Sequence, residues 1–227
     1  MTRALRALAL MLAVWLALPV LPAAADPAPT TIYTLTVADS DPVAGRATDF
    51  TAVLGSGDAA VSGVELTLWL RPYGASAFVA AGQATTDVNG SATVWVTLQH
   101  DVQVQWTFAG NPDYAPSTST AYLLPVAPRV TIRVNDRTLR RGQRFVVRGQ
   151  SSPAKIGCTV KLWRGELRPL VQGPSPVRLA VSSVRSDGSY RLVRRFHHRA
   201  RMRVAVTISP CAGNSRGLSS YVRIRVR

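Results

Sequence analysis

Two cysteines, three histidines and twelve carboxylates in 227 residues leave little material for catalysis. Cys158 and Cys211 are the only thiols, and both fall in the second half of the chain. In an exported domain such a pair most often forms a disulfide; a buried free thiol and an intermolecular bridge are the alternatives. His197 and His198 are adjacent, and neighbours on a strand face opposite ways, so a chelating pair there would need a loop geometry instead. Asp87-Val88-Asn89-Gly90 copies the start of a calcium loop, but the later acidic positions and the distal Glu are missing. The segment reads as a hairpin turn, with calcium shared between it and Asp39-Ser40-Asp41 as the competing reading. No G-x-S-x-G elbow, phosphate-cradling Gly loop or dinucleotide fingerprint occurs. Paired carboxylates for glycoside cleavage would have to come from the first half, because the second carries three acids in all. These residues predict no catalytic group, no metal site and no cofactor.

Arginine is what the chain has in quantity. Residues 26–126 hold nine acids against two bases, a net −7, while residues 127–227 hold three acids against 23 bases, a net +20. A GC-rich coding sequence favours Arg over Lys, but it does not divide charge between halves. Such asymmetry marks a domain boundary and points to a polyanionic partner for one half. Arg129 and Arg133 alternate with Val130 and Ile132 on the expected first strand of the second half. Arg223, Arg225 and Arg227 alternate with Val222, Ile224 and Val226 on its last. First and last strands of a sandwich commonly run side by side, so the five guanidinium groups are expected to form one comb on an outer face. Arg binds phosphates, carboxylates and sulfates bidentately, which makes the comb a candidate anion site for an anionic envelope polymer or an acidic protein surface. The alternatives are a solvated basic face, or one docked on the chain's own acidic half. Sequence-specific nucleic-acid readout is not expected, since no recognition helix is evident. Trp69, Trp95 and Trp163 are out of phase with the apolar residues beside them and are expected on outer sheet surfaces. There they would stack on sugar rings or meet a partner, unless they cover one another or pack under a loop.

The elements that position these residues are strands. Arg3 and Arg6, the apolar run 7–21 and Ala23-Ala24-Ala25 read as a cleaved secretory signal, residues 1–25. At 15 residues the run is short for a membrane anchor, which needs roughly 20. No transmembrane anchor is therefore expected, and the mature chain is placed outside the cytoplasm. Period-two alternation predicts strands at 32–38, 48–54, 66–70, 78–85, 92–98, 102–108 and 117–124, and again across the second half. Landmarks recur at a spacing near 100: Gly45 with Gly142, Leu68-Trp69 with Leu162-Trp163, Asn89-Gly90-Ser91 with Asp187-Gly188-Ser189, Gly110-Asn111 with Gly213-Asn214, and Ser119 with Ser220. On that alignment Val64 stands at the Cys158 position and Ala109 at the Cys211 position. Seven short strands per 100 residues fit an all-β chain of two tandem β-sandwiches. The expected units are 26–125, acidic, and 126–227, basic, joined by the Pro-rich segment Leu124-Pro125-Val126-Ala127-Pro128.

The residues also resemble a known family. Val43-Ala44-Gly45, Leu66-Thr67-Leu68, Thr86-Asp87-Val88-Asn89-Gly90, Phe108-Ala109-Gly110-Asn111 and Tyr114-Ala115-Pro116-Ser117-Thr118-Ser119 resemble the bacterial Ig-like repeats of secreted and surface-associated proteins. The resemblance covers most of 32–124 and extends loosely over 129–227, through Arg140-Arg141-Gly142, Asp187-Gly188-Ser189 and Gly213-Asn214. It implies immunoglobulin-like domains serving as stalks, adhesive modules or accessory units. The expected function is non-catalytic binding or display at the cell envelope, with the basic unit on an anionic polymer. The rival is a structural protein whose acidic and basic units pair between molecules.

Overall fold

Strands form where apolar and polar residues alternate, because one face of each must be buried. The computed structural model describes residues 26–35, 42–165, 167 and 175–227. The expected leader, residues 1–25, and Asp39-Ser40-Asp41 lie outside the described residues. Among the described residues every regular element is a strand. The first unit contains β1 (Thr31–Leu35), β2 (Ala47–Ser56), β3 (Ala59–Ala60), β4 (Glu65–Pro72), β5 (Val79–Thr85), β6 (Ser91–Thr97), β7 (Val102–Phe108), β8 (Ser117–Thr118) and β9 (Tyr122–Leu124). The second contains β10 (Arg129–Val130), β11 (Arg133–Val134), β12 (Thr138–Leu139), β13 (Arg144–Ser152), β14 (Thr159–Arg164), β15 (Val177–Ser183), β16 (Ser189–Arg195), β17 (Ala200–Ile208), β18 (Gly217–Leu218) and β19 (Val222–Val226).

Each unit is a sandwich of two sheets over its own core. In the first, β1 and β6 flank β2, while β5, β4, β7 and β9 form the facing sheet. Phe50, Leu54, Leu66, Leu68, Val104 and Trp106 are buried in a single cluster drawn from both sheets. In the second, β10, β11 and β16 pair with β13, and β12, β19, β17, β14 and β15 form the other sheet. Phe145, Val147, Tyr190, Leu192, Val160, Leu162 and Val206 fill that core. Burying one such side chain contributes about 1.5–3 kcal/mol, so these alternating faces hold the sheets together. Val126 belongs to the first core, one residue beyond the expected break.

The long strands of the two units match. Both carry a β-bulge before the outward tryptophan, at Leu68/Trp69 and at Leu162/Trp163. Both turn at a glycine of positive φ, Gly90 and Gly188, where an added Cβ would strike the backbone or a neighbouring alanine. Ser119 Oγ accepts from Trp106 N–H, and Ser219 Oγ accepts from Val206 N–H, both at 2.9 Å. The partner of Ser119 is thus Ser219 rather than Ser220. Asn111 N–H donates to Tyr114, as Cys211 N–H does to Asn214. Cys211 therefore stands at Asn111, not Ala109, and Asn214 stands at Tyr114, so the expected match of Gly110-Asn111 with Gly213-Asn214 does not hold.

Candidate functional site

The first strand of the second unit divides between its two sheets, and this decides where the arginines go. Arg129 pairs with Ser152 and Arg133 with Arg148, both on β13. Asn135 ends that pairing: its Oδ1 accepts the Val146 N–H and its Nδ2 donates to the Arg144 carbonyl. Asp136 Oδ1 then accepts the Thr138 N–H, and the chain crosses to run parallel to β19. Thr138 and Leu139, not Arg129 and Arg133, lie beside the last strand. The single comb of five is not formed; Arg129 and Arg133 lie on one sheet, Arg223, Arg225 and Arg227 on the other.

Each fragment of the comb meets other arginines. On the β17–β19 ladder Arg203 stands opposite Arg223 and Arg201 opposite Arg225. All four are exposed, because Val204, Ile224 and Val226 take the inward positions. With Arg137 and Thr138 they line a concavity of about 510 Å³. Arg199, Arg201, Arg225 and Arg227 line a second, of about 440 Å³, at the end of the same ladder. On the β13 sheet Arg148 stands between Arg133 and Arg191, and Arg144 opposite Arg195. Directly opposed like charges destabilise a sheet by about 0.2–1 kcal/mol each. The fold does not require them: where Arg203 faces Arg223, the first unit has Gln103 facing Leu123.

The tryptophans point outward as their phase demands, with different exposure. Trp95 is 66% exposed, whereas Trp69 and Trp163 are half-buried. Trp69 Nε1 donates to Thr107 Oγ1 and Trp163 Nε1 to Thr207 Oγ1, each at 2.8 Å. Each of those two indoles lies over its own sheet, its polar edge satisfied by a neighbouring strand. Trp95 is the most accessible of the three.

Cys158 and Cys211 form a disulfide, Cα atoms 6.3 Å apart. Cys211 opens a tight turn in which Ala212 and Gly213 both have positive φ, 44° and 71°. Such a turn favours glycine; Ala212 tolerates it with the Lys155 ammonium donating to its carbonyl at 2.7 Å. Burial lowers the Lys155 pKa, and the Asp101 carboxylate pulls it back up. The tip of the turn enters the first unit. Gly213 lies so close to the Tyr73 ring that a Cβ would come within 2.2 Å of it. Asp101 N–H donates to the Gly213 carbonyl at 2.8 Å. Buried Asn214 donates Nδ2 to the carbonyls of Gln99 and Val126, at 3.0 and 2.8 Å. Its Oδ1 therefore accepts, and His100 Nδ1, 3.1 Å away, carries the proton. The joint is held as well: Val126 N–H donates to Asp101 Oδ1, Ala44 N–H to the Ala127 carbonyl, and Ala127 N–H to the Pro42 carbonyl. Sequence reasoning missed this junction. His100 and Asp101 fall between the strands expected at 92–98 and 102–108, and Asn214 is matched there with Asn111.

No family model and no curated protein sequence matches the chain. Among solved structures it is similar to the C-terminal 282-residue fragment of intimin in complex with the intimin-binding domain of its translocated receptor. That likeness has 14% identity and a TM-score of 0.44, over 85% of this chain and 63% of the other. It is also similar to the native conformation of E. coli alpha-2-macroglobulin, at 12% identity and a TM-score of 0.40, over 90% of this chain. The biofilm-associated protein BSP domain is a third, at 14% identity and a TM-score of 0.28 over 85% of this chain. The chain spans 17% of the E. coli and 16% of the Salmonella alpha-2-macroglobulin chains it matches. His197 and His198, adjacent between β16 and β17, are both exposed.

Proposed function

We propose that this is an exported, non-catalytic binding protein of the cell envelope whose basic second unit docks on an anionic polymer. The observation that carries the reading is the β17–β19 register. Arg201 faces Arg225, at an energetic cost to the sheet, and Arg203 faces Arg223, on positions that carry no base in the first unit. A polyanion removes that repulsion and gains bidentate contacts. The disulfide supports an oxidising compartment outside the cytoplasm. Binding of this kind is mostly electrostatic and weakens steeply with salt.

The test replaces Arg223, Arg225 and Arg227 with Gln together in the mature full-length chain. Retention on a heparin column at low salt is expected to fall, and the log–log salt slope to drop by about one for each guanidinium–anion pair removed. Unchanged retention with an unchanged slope contradicts the proposal. The first unit's charge of −7 favours a second reading, pairing of acidic and basic units between molecules. That reading predicts salt-sensitive oligomers of the protein alone.

A further inference from the structure

The outer face of the opposite sheet carries a second arginine array, built in rows. On β13 the outward residues are Arg144, Val146, Arg148, Gln150 and Ser152, since Phe145 and Val147 are in the core. Their partners across the ladders put Arg195 beside Arg144 and Val193 beside Val146. The next charged row is Arg133, Arg148 and Arg191, and Arg129 stands beside Ser152. Charged rows thus recur every fourth residue, about 13 Å apart, with an apolar and a polar row between them. Arg195 Nη1 is anchored on the Gly142 carbonyl at 2.7 Å. Arg133 and Arg148, with Thr131, Asn135 and Gln150, line a concavity of about 610 Å³. At the same register the first unit has Ala47 with Thr97, Asp49 with Trp95, and Thr51 hydrogen-bonded to Thr93. Those positions carry no base, so this array too belongs to the second unit alone.

The two sheets pack face to face, so their outer surfaces point in opposite directions. We infer that the second unit holds two polymer chains at once, one on the β17–β19 face and one on the β11–β13–β16 face, and so cross-links an acidic polysaccharide. The inference rests on the proposed polymer-binding role of the first face. The apolar row between the charged ones selects the polymer. A nucleic-acid strand presents a continuous line of phosphates, whereas an acidic polysaccharide presents apolar sugar ring faces between its acidic groups. The Val146–Val193 row lies where such a ring face would pack.

The experiment uses two pools of heparin-coated beads, labelled in two colours, mixed with the mature full-length chain at low salt. Mixed-colour aggregates are expected, dissolving as salt rises and at large excess of protein. A variant with Arg133, Arg144 and Arg148 changed to Gln is expected to remain bound to single beads while aggregation falls at least tenfold. A β-type circular dichroism spectrum equal to that of the unaltered chain shows that this variant is folded. R223Q/R225Q/R227Q is expected to behave in the same way through the other face. Full aggregation by the Arg133, Arg144 and Arg148 variant overturns the second face. Bead binding by the unaltered chain without aggregation at any ratio means that one polymer chain wraps both faces, and overturns cross-linking while leaving the binding role intact. No binding to heparin overturns both. Binding to polyphosphate or anionic vesicles without binding to heparin overturns the choice of polysaccharide.

Discussion

Asn214 shows how one side chain joins two sandwiches. Its amide spans the Gln99 carbonyl of the first unit and the Val126 carbonyl of the joint. Asn214→Ala removes the donor to the Gln99 carbonyl and leaves the Val126 carbonyl with Ser215 N–H alone, each lost hydrogen bond costing about 0.5–1.5 kcal/mol. The expected result is a lower melting temperature and faster proteolysis in the 124–128 joint; unchanged cleavage there would contradict the role. Tyr190 acts within the second core, donating its hydroxyl to the Thr131 carbonyl. Burial pushes its phenol well above the ordinary value near 10. The folded form ionises later than the unfolded, so this contribution is whole below pH 10 and is lost as pH rises from there toward the raised value. Tyr122, also raised by burial, has the same sign in the first unit. Lys155, lowered by burial, has the opposite sign, its destabilisation lifting as pH climbs toward 10.5. Melting temperatures are expected to start falling above about pH 10, and less steeply in Tyr190→Phe; equal slopes would contradict the assignment.

Among the elements, the disulfide ties the β14 end of the second core to the turn that enters the first unit. Its cysteines are 53 residues apart, and loop closure on that scale is worth roughly 4 kcal/mol. Reduction is expected to lower the transition of the second unit and to loosen the joint, read by calorimetry and by proteolysis at 124–128. Non-reduced peptide mapping is expected to show Cys158 joined to Cys211; two alkylatable thiols in fresh protein would contradict it. Strand positions were legible in the sequence because burial of one face imposes period two, and Cys158 was in phase with Val160 and Leu162. The sheet switch was not. Polar and apolar residues alternate without a break through β10 and β11, while the crossing is made by Asn135 and Asp136 hydrogen bonds that no periodicity records. The strand expected over 117–124 likewise splits into β8 and β9, where Ser119 turns its hydroxyl to the Trp106 N–H. The Gly-Asn pairs misled for a related reason. Gly213-Asn214 lies three residues later on its turn than Gly110-Asn111, so identical letters occupy different places.

At the scale of the molecule, two sandwiches of one plan differ chiefly in charge, −7 against +20. Each unit has its own sheets and core, so fragments 26–127 and 127–227 are expected to give β-type circular dichroism separately. A disordered spectrum from either would show that the junction is needed for folding. Among the described residues five Arg–Arg pairs stand directly opposed on the second unit's ladders. At about 0.2–1 kcal/mol apiece they are a standing load on the fold. R223Q/R225Q/R227Q is therefore expected to melt higher than the unaltered chain at low salt, with the gap closing as salt rises. The most direct measurement of the central claim is sedimentation of the full mature chain at low and at high salt, with and without heparin. The account predicts a heparin complex at low salt that is lost at high salt. Salt-sensitive oligomers of the protein alone, with no shift on adding heparin, would show instead that the arginine faces serve the acidic unit of a neighbouring molecule.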